Sequence, residues 1–235
     1  MKKVLRILFK ILLALLGILL LAFIVLKLTF NDAIPQGETG KPADELAYKM
    51  LDAINHQEFT ETKEIHWTFR GVNRYEWKLQ QDLVEVFWED YQVSLQTKNP
   101  NQSLAYLNNK EMKGEVKKEA IAYATKNFNN DSFWLIAPHK VFDNGTKREL
   151  IKENGQQKLL VTYSSGGTTP GDSYLWELDE NLQPVTMKMW VKIIPLDGLE
   201  AQWTNWQMTE AGFPLPEQRT FFGLEIPISE VEVVK

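Results

Sequence analysis

The spacing of apolar residues changes period several times along the chain, and each change marks an element. Residues 11–26, ILLALLGILLLAFIVL, are uncharged throughout. Lys27 can snorkel its amine to the interface, which extends the apolar span to Phe30. A spanning helix needs about 20 apolar residues, whereas a cleaved signal carries about 7–15 before a small-x-small cleavage site. The residues that follow, KLTFND, offer no such site. Residues 1–30 are therefore predicted to be an uncleaved membrane anchor, the alternative being a signal cut near Ala33. Lys2, Lys3, Arg6 and Lys10 precede the span, and only Lys27 and Lys41 lie close after it. The positive-inside rule then predicts a single pass through the inner (cytoplasmic) membrane, with the N-terminus inside and the domain facing the periplasm or exterior. Residues 31–41, NDAIPQGETGK, read as a short flexible linker.

Residues 42–235 read as one domain. In PADELAYKMLDAI, Leu46, Met50, Leu51 and Ile54 form one stripe at helical spacing, with Pro42 in the first turn and Asp44 and Glu45 at the positive end of the dipole. The period then becomes two. Ile65, Trp67 and Phe69 alternate with polar residues, as do Tyr75, Trp77 and Leu79, then Val84, Val86 and Trp88, then Tyr91, Val93 and Leu95. Four half-buried antiparallel strands with one wet face follow, although Phe87 breaks the alternation. Helical spacing returns over residues 110–130, and the apolar block SFWLIAPHKVFD continues this insert. Later hairpins turn at Asn154-Gly155 and Asp179-Glu180-Asn181, and Val185, Met187, Met189 and Val191 share a face. EAQWTNWQM adds a strand. The Pro-bearing C-terminal segment reads as an edge or a wrapping tail. The predicted class is α+β: a transmembrane helix, then one strongly curved antiparallel sheet (a half-barrel) packed on an N-terminal helix and a helical insert.

Charge sharpens the picture of the outer domain. Of 26 basic residues, five fall in the first thirty, so the remainder sets 21 against all 31 acids, a net charge of −10. A domain this acidic, with no basic run, is a poor partner for nucleic acid. The chain has no cysteine, which excludes disulfides, thiolate catalysis, thiolate zinc sites and a lipid-acylated N-terminal Cys.

Few residues suggest covalent chemistry. The stretch YSSGGTTPGDSY, residues 163–174, has the glycines of a phosphate loop but no Lys, and strand rather than helix spacing follows it. It reads as a long hairpin loop, with Pro170-Gly171 suited to a type II turn, and either simply solvated or a binding loop at the sheet mouth. His56, His66 and His139 have no metal-ligand spacing, so no metal or other cofactor is expected. Asp172, Glu177 and Asp179 could form a carboxylate pair for glycoside hydrolysis, although nothing in their spacing demands it. The aromatic stripe carries more information. Trp67, Phe69, Trp77 and Trp88 share the apolar side of successive strands, and Tyr163, Trp176, Met187 and Met189 can join them from later strands. The stripe is either plain core or the lining of a concave apolar surface for an acyl chain.

The order of these elements resembles the Lol-type half-barrels, the periplasmic lipoprotein carriers and their outer-membrane acceptors. ADELAYKMLDAI, the strand beginning IHWTFRG, the helical insert and SYLWELDENLQPVTMKMWV carry the likeness over residues 43 to about 210. The resemblance implies an incomplete barrel capped by helices, with an apolar cavity for acyl chains. It also implies an early-strand Arg that helps close the cavity. Arg70 is the nearest positional match, and Arg74 competes with it. Unlike the soluble carriers and Cys-anchored acceptors, this chain has a spanning segment and no Cys. The expected function is a membrane-anchored, non-enzymatic domain that binds a lipid or other apolar ligand, or an envelope protein partner. The alternatives are a structural or interaction domain with a filled core, and a carboxylate-dependent hydrolase.

Overall fold

A computed structural model describes residues 2–166 and 168–235. Gly167, one of the three glycines in the 163–174 stretch, and Met1 lie outside the described residues. The apolar N-terminal segment is one long helix, α1 (Lys2–Thr29), with no buried residue. It is long and apolar enough to cross a membrane.

Helix α2 (Lys41–Ala53) follows a two-residue strand, β1 (Glu38–Thr39), and has Pro42 in its first turn. Its predicted stripe is buried. A short helix α3 (His56–Glu61) leads into the meander β2 (Glu64–Phe69), β3 (Asn73–Lys78), β4 (Leu83–Trp88), β5 (Tyr91–Gln96), β6 (Leu104–Leu107) and β7 (Lys110–Glu111). Buried and half-buried residues alternate along β2, β4 and β5 as the period-two pattern requires. Phe87 breaks the pattern because it serves the outer face. The Arg74 guanidinium lies 3.9 Å from its ring centroid, on the neighbouring strand.

Helix α4 (Gly114–Ile136) and a 3-10 turn (Ala137–Lys140) form the insert. The chain then builds β8 (Thr146–Glu153), β9 (Gln156–Tyr163), β10 (Ser173–Leu178), β11 (Pro184–Trp190), β12 (Leu199–Met208), β13 (Pro214–Phe221), β14 (Leu224–Glu225) and β15 (Ile228–Val234). The hairpin at Asn154-Gly155 forms with Glu153 opposite Gln156.

The strands are antiparallel throughout, as expected, but they form two open sheets rather than one. One sheet runs β15-β2-β3-β4-β5-β6-β7 and the other β1-β8-β9-β10-β11-β12-β13-β14. The C-terminal tail joins them, because β15 crosses to pair with β2. Each sheet has its own apolar cluster. Trp67, Phe69, Tyr75, Val86 and Trp88 pack under Ala120, Ala124 and Phe128 of α4. Leu159, Trp176, Met187, Met189 and Trp203 pack under α2.

Residues 31–41 are not a free tether. The outer face of the second sheet carries an apolar patch of Ile151, Leu160, Leu175 and Trp190, and the segment runs across it. The Trp190 indole donates to the Asp32 carbonyl (2.7 Å), and Lys188 donates to the Asp32 carboxylate (2.6 Å). At Gly37 a Cβ would meet the Leu150 carbonyl oxygen at 2.4 Å, so only glycine allows this approach.

Candidate functional site: a cavity between the sheets

The two sheets diverge around the C-terminal half of α4 and leave a partly open cavity of about 910 Å³. Its inner walls are apolar. Phe128, Phe133 and Trp134 come from α4, Met187 and Met189 from β11, and Phe221 from β13. Alternation on β11 puts both methionines on the inner face, and α4 turns Phe133 and Trp134 toward them. Phe133 packs against Tyr174 (4.6 Å between centroids), and Trp134 meets Phe221 edge-on at 6.2 Å.

The rest of the lining is polar and carries charges of both signs, with Asp143 and Asp172 as the acids. Arg70, Lys126 and Lys140 belong to it, together with Asn127, Asn129 and Asn130. Lys140 is paired with Asp143 at 2.6 Å. Arg70 and Lys126 make no ion pair among the described residues. Tyr163 donates to the Lys140 carbonyl (3.3 Å), and Tyr174 points its hydroxyl at Asp172 (3.5 Å). Burial, reinforced by Asp143 for Tyr163 and by Asp172 for Tyr174, pushes both phenols up, so both remain hydrogen-bond donors.

The loop after β9 belongs to this site. Ser165, Gly166, Thr168 and Thr169 line the cavity. Asp172 organises the loop, accepting from the Thr169 hydroxyl and from the Lys192 backbone N–H (3.0 Å). Its Pro170-Gly171 pair turns with Gly171 at φ 102°, as a type II turn requires. The three candidate acids part company here. Glu177 pairs with Lys158 (2.5 Å) and borders a separate hollow under the linker. Asp179 accepts from the N–H groups of Asn181 and Gln183 and thereby holds the β10–β11 turn.

Five of the nine residues expected to bind ligand line this cavity: Arg70, Trp77, Tyr163, Met187 and Met189. The other four belong to the packed cores of the two sheets. Trp67 stacks on Tyr75 and Trp88 on Tyr91, while Trp176 packs edge-on against Trp203. Phe69 is buried in the first sheet's core. Sequence reading missed the contributions of α4 and Phe221. The apolar block SFWLIA was their signal, but a helical face does not reveal which cavity it borders. Arg219, outside the cavity lining, is buried opposite Trp203, and its Nε and Nη2 have no hydrogen-bond partner among the described residues. Burial alone brings its pKa down to about 9.

Beside the cavity, folding joins two histidines far apart in sequence. The Nδ1 atoms of His56 and His139 are 3.1 Å apart, and the His139 ring stacks on Phe59 at 4.3 Å. One ring donates and the other accepts, which requires at least one neutral imidazole. Burial lowers both pKa values from the ordinary 6.5, most for His139, where the neighbouring His56 adds to it. The unfolded chain therefore takes up protons first as pH falls. Stability from this pair is fully present above about 6.5 and declines as the pH drops below it. We expect thermal unfolding to shift to lower temperature between pH 7 and pH 5, and His139→Phe to flatten that dependence. An unchanged slope in the variant would show that other groups carry it.

The sequence matches no protein-family model, and no curated protein matches it. Among solved structures it is similar to a DUF1329 family protein from Desulfovibrio piger, at 9% identity and TM-score 0.42, over 82% of this chain and 93% of that one. It is also similar to a domain assigned to outer membrane lipoprotein sorting from Vibrio parahaemolyticus, at 9% identity and TM-score 0.36, over 80% of this chain and 93% of that one. The functional reading of this chain rests on its own cavity.

Proposed function

We propose that the chain is a membrane-anchored, envelope-facing domain that holds the acyl part of a lipid in the cavity between its sheets and performs no covalent step on it. The observation that carries this reading is the cavity itself: about 910 Å³, with methionine and aromatic walls and with Arg70 and Lys126 in its polar lining. That size is at the upper end of ordinary ligand sites. Methionine suits an acyl chain because its flexible thioether adapts to irregular apolar shapes. Each buried methylene contributes about 0.8 kcal/mol, so about ten give roughly 8 kcal/mol before ordering costs. Ordering costs then make micromolar the tightest dissociation constant that about ten methylenes support, loose enough for exchange. Arg70 and Lys126 suit an anionic headgroup outside the apolar part.

The test is native mass spectrometry of the full chain released from membranes, with extraction of whatever stays bound. The wild type is expected to retain one acyl lipid. Met189→Trp puts an indole into the space and is expected to lose it, while circular dichroism shows the fold intact. Equal lipid retention by both proteins would count against the cavity as the binding place.

A further inference from the structure

Exposed apolar side chains scattered singly over a surface need no explanation. Three in this domain are not scattered. Ile193 (69% exposed) and Phe222 (48%) lie on the two loops that meet the end of α1, and Leu224 (73%) opens β14 directly after the second loop. Residues 191–198 link β11 to β12. Their Asp197 pairs with Lys27 at 3.4 Å, and its backbone N–H donates to the Phe30 carbonyl at 3.1 Å. Residues 222–223 turn β13 into β14, and Phe222 packs edge-on against Phe30, 5.2 Å between centroids. The helix end is therefore fastened to the domain, and its depth in a bilayer sets the depth of these loops.

That depth follows from length. At 1.5 Å per residue, the span from Ile11 to Phe30 covers about 30 Å, the thickness of a hydrocarbon core. Phe30 then sits at the outer boundary, with Lys27 reaching up to the headgroups. Phe222, in contact with Phe30, is held at the same level. The same two loops also serve the cavity. Val191, Ile193 and Ile194 line it from one side, and Phe221, the neighbour of Phe222, lines it from the other. Ile193 is at once a cavity wall and a strongly exposed apolar residue, so it stands on the rim.

We infer that this rim is a membrane-docking surface: Ile193, Phe222 and Leu224 seat in the outer face of the bilayer that α1 spans, so that the cavity opens onto it and an acyl chain enters sideways from lipid. The bilayer is the occupant because the patch is continuous with the apolar helix, and both loops are tied to the helix end. The inference rests on the acyl-binding reading but adds the source of the ligand and its route.

The chain lacks cysteine, so single-cysteine labelling is unambiguous. The full chain would be placed in nanodiscs with a nitroxide at Ile193→Cys, Phe222→Cys or Leu224→Cys. Glu180→Cys is the aqueous control, because the β10–β11 turn lies at the far end of β11 from loop 191–198. We expect oxygen to reach the three rim labels several-fold better, relative to a water-soluble nickel complex, than it reaches residue 180. Adding Asp197→Lys, which sets like charges opposite Lys27, should return the rim labels toward the aqueous value. Rim labels as aqueous as residue 180 would overturn the docking surface. Lipid retention that persists in that case leaves the cavity reading intact and means that ligand arrives through water or from a carrier. Loss of both results sinks both readings.

Discussion

Replacing Trp176 by alanine should cost about 3–5 kcal/mol, the range for truncating a fully buried aromatic. Its ring has no exposed surface and meets Trp203 edge-on at 5.4 Å. It sits in the same cross-strand row as Leu159 and Met187. That row is the floor on which α2 packs, so the void would open at the centre of the second sheet's core. For a chain of this size, roughly 6–20 °C of melting temperature should be lost. Trp176→Phe should behave differently. The buried indole N–H has no partner among the described residues, and such an orphan donor costs about 1–3 kcal/mol. Phenylalanine loses some packing but removes that donor, so the two effects offset each other and the variant should stay within about 1 kcal/mol of wild type. Thermal unfolding followed by near-ultraviolet circular dichroism would read both. A Trp176→Ala protein that melts with the wild type would mean that this core is not packed as described.

The second large effect is expected at Asp131, which pins α4 to the first sheet. Its carboxylate is buried and accepts from the Tyr75 hydroxyl (2.5 Å), Asn73 Nδ2 (3.1 Å) and Asn130 Nδ2 (2.8 Å). Asp131→Ala leaves the Tyr75 and Asn73 donors buried without an acceptor, at about 1–3 kcal/mol each. It also relieves a desolvated charge, so the net loss should be about 2–4 kcal/mol. Asp131→Asn keeps an acceptor for Tyr75 and Asn73, and the exposed Asn130 can turn its amide, so this variant should lose much less. The pH signature separates the two causes. Burial, opposed by these hydrogen bonds, raises the Asp131 pKa above its ordinary 3.8. The folded protein then holds a proton that the unfolded chain has released. Stability from this group is fully present below 3.8 and is lost as pH rises through the raised value. Asp131→Asn should remove that slope in urea titrations between pH 3 and pH 7. Neighbouring Asn130 and Ser132 line the cavity, so Asp131→Ala should also weaken lipid retention.

Particular residues explain what the sequence made legible. Ile65, Trp67 and Phe69 alternate with polar neighbours because one face of β2 is wet, so the early meander can be read directly. Period two reports which face is buried, but not which sheet a strand joins. The division into two sheets, and the crossing of β15 to β2, depend on contacts between distant residues. The linker's contacts are hidden from the sequence for a related reason. Gly37 and Pro35 look like flexibility, yet the segment lies beside Ile151, Leu175 and Trp190, and Gly37 lets it approach the Leu150 backbone closely. Apolar residues on both faces of KLLVTY and SYLWEL were the available sign that something covers the outer face. The site was legible only in part. Met187 and Met189 on the cavity wall and Trp67 in the filled core have the same alternating pattern, because the pattern marks inward direction and not empty space. His56 and His139 are 83 residues apart, and no local spacing could pair them.

In the proposed function, a lipid's acyl chain occupies the cavity between the sheets. Photocrosslinking tests it most directly, in membranes that carry the full chain and a fatty acid with a photoactivatable group along its tail. Peptide mapping should find adducts on α1, which reports simple exposure to the bilayer, and also on Phe133, Met187 or Met189, which face only the cavity. Adducts confined to α1, at a labelling level that marks it heavily, would contradict the account and leave the cavity without its proposed ligand.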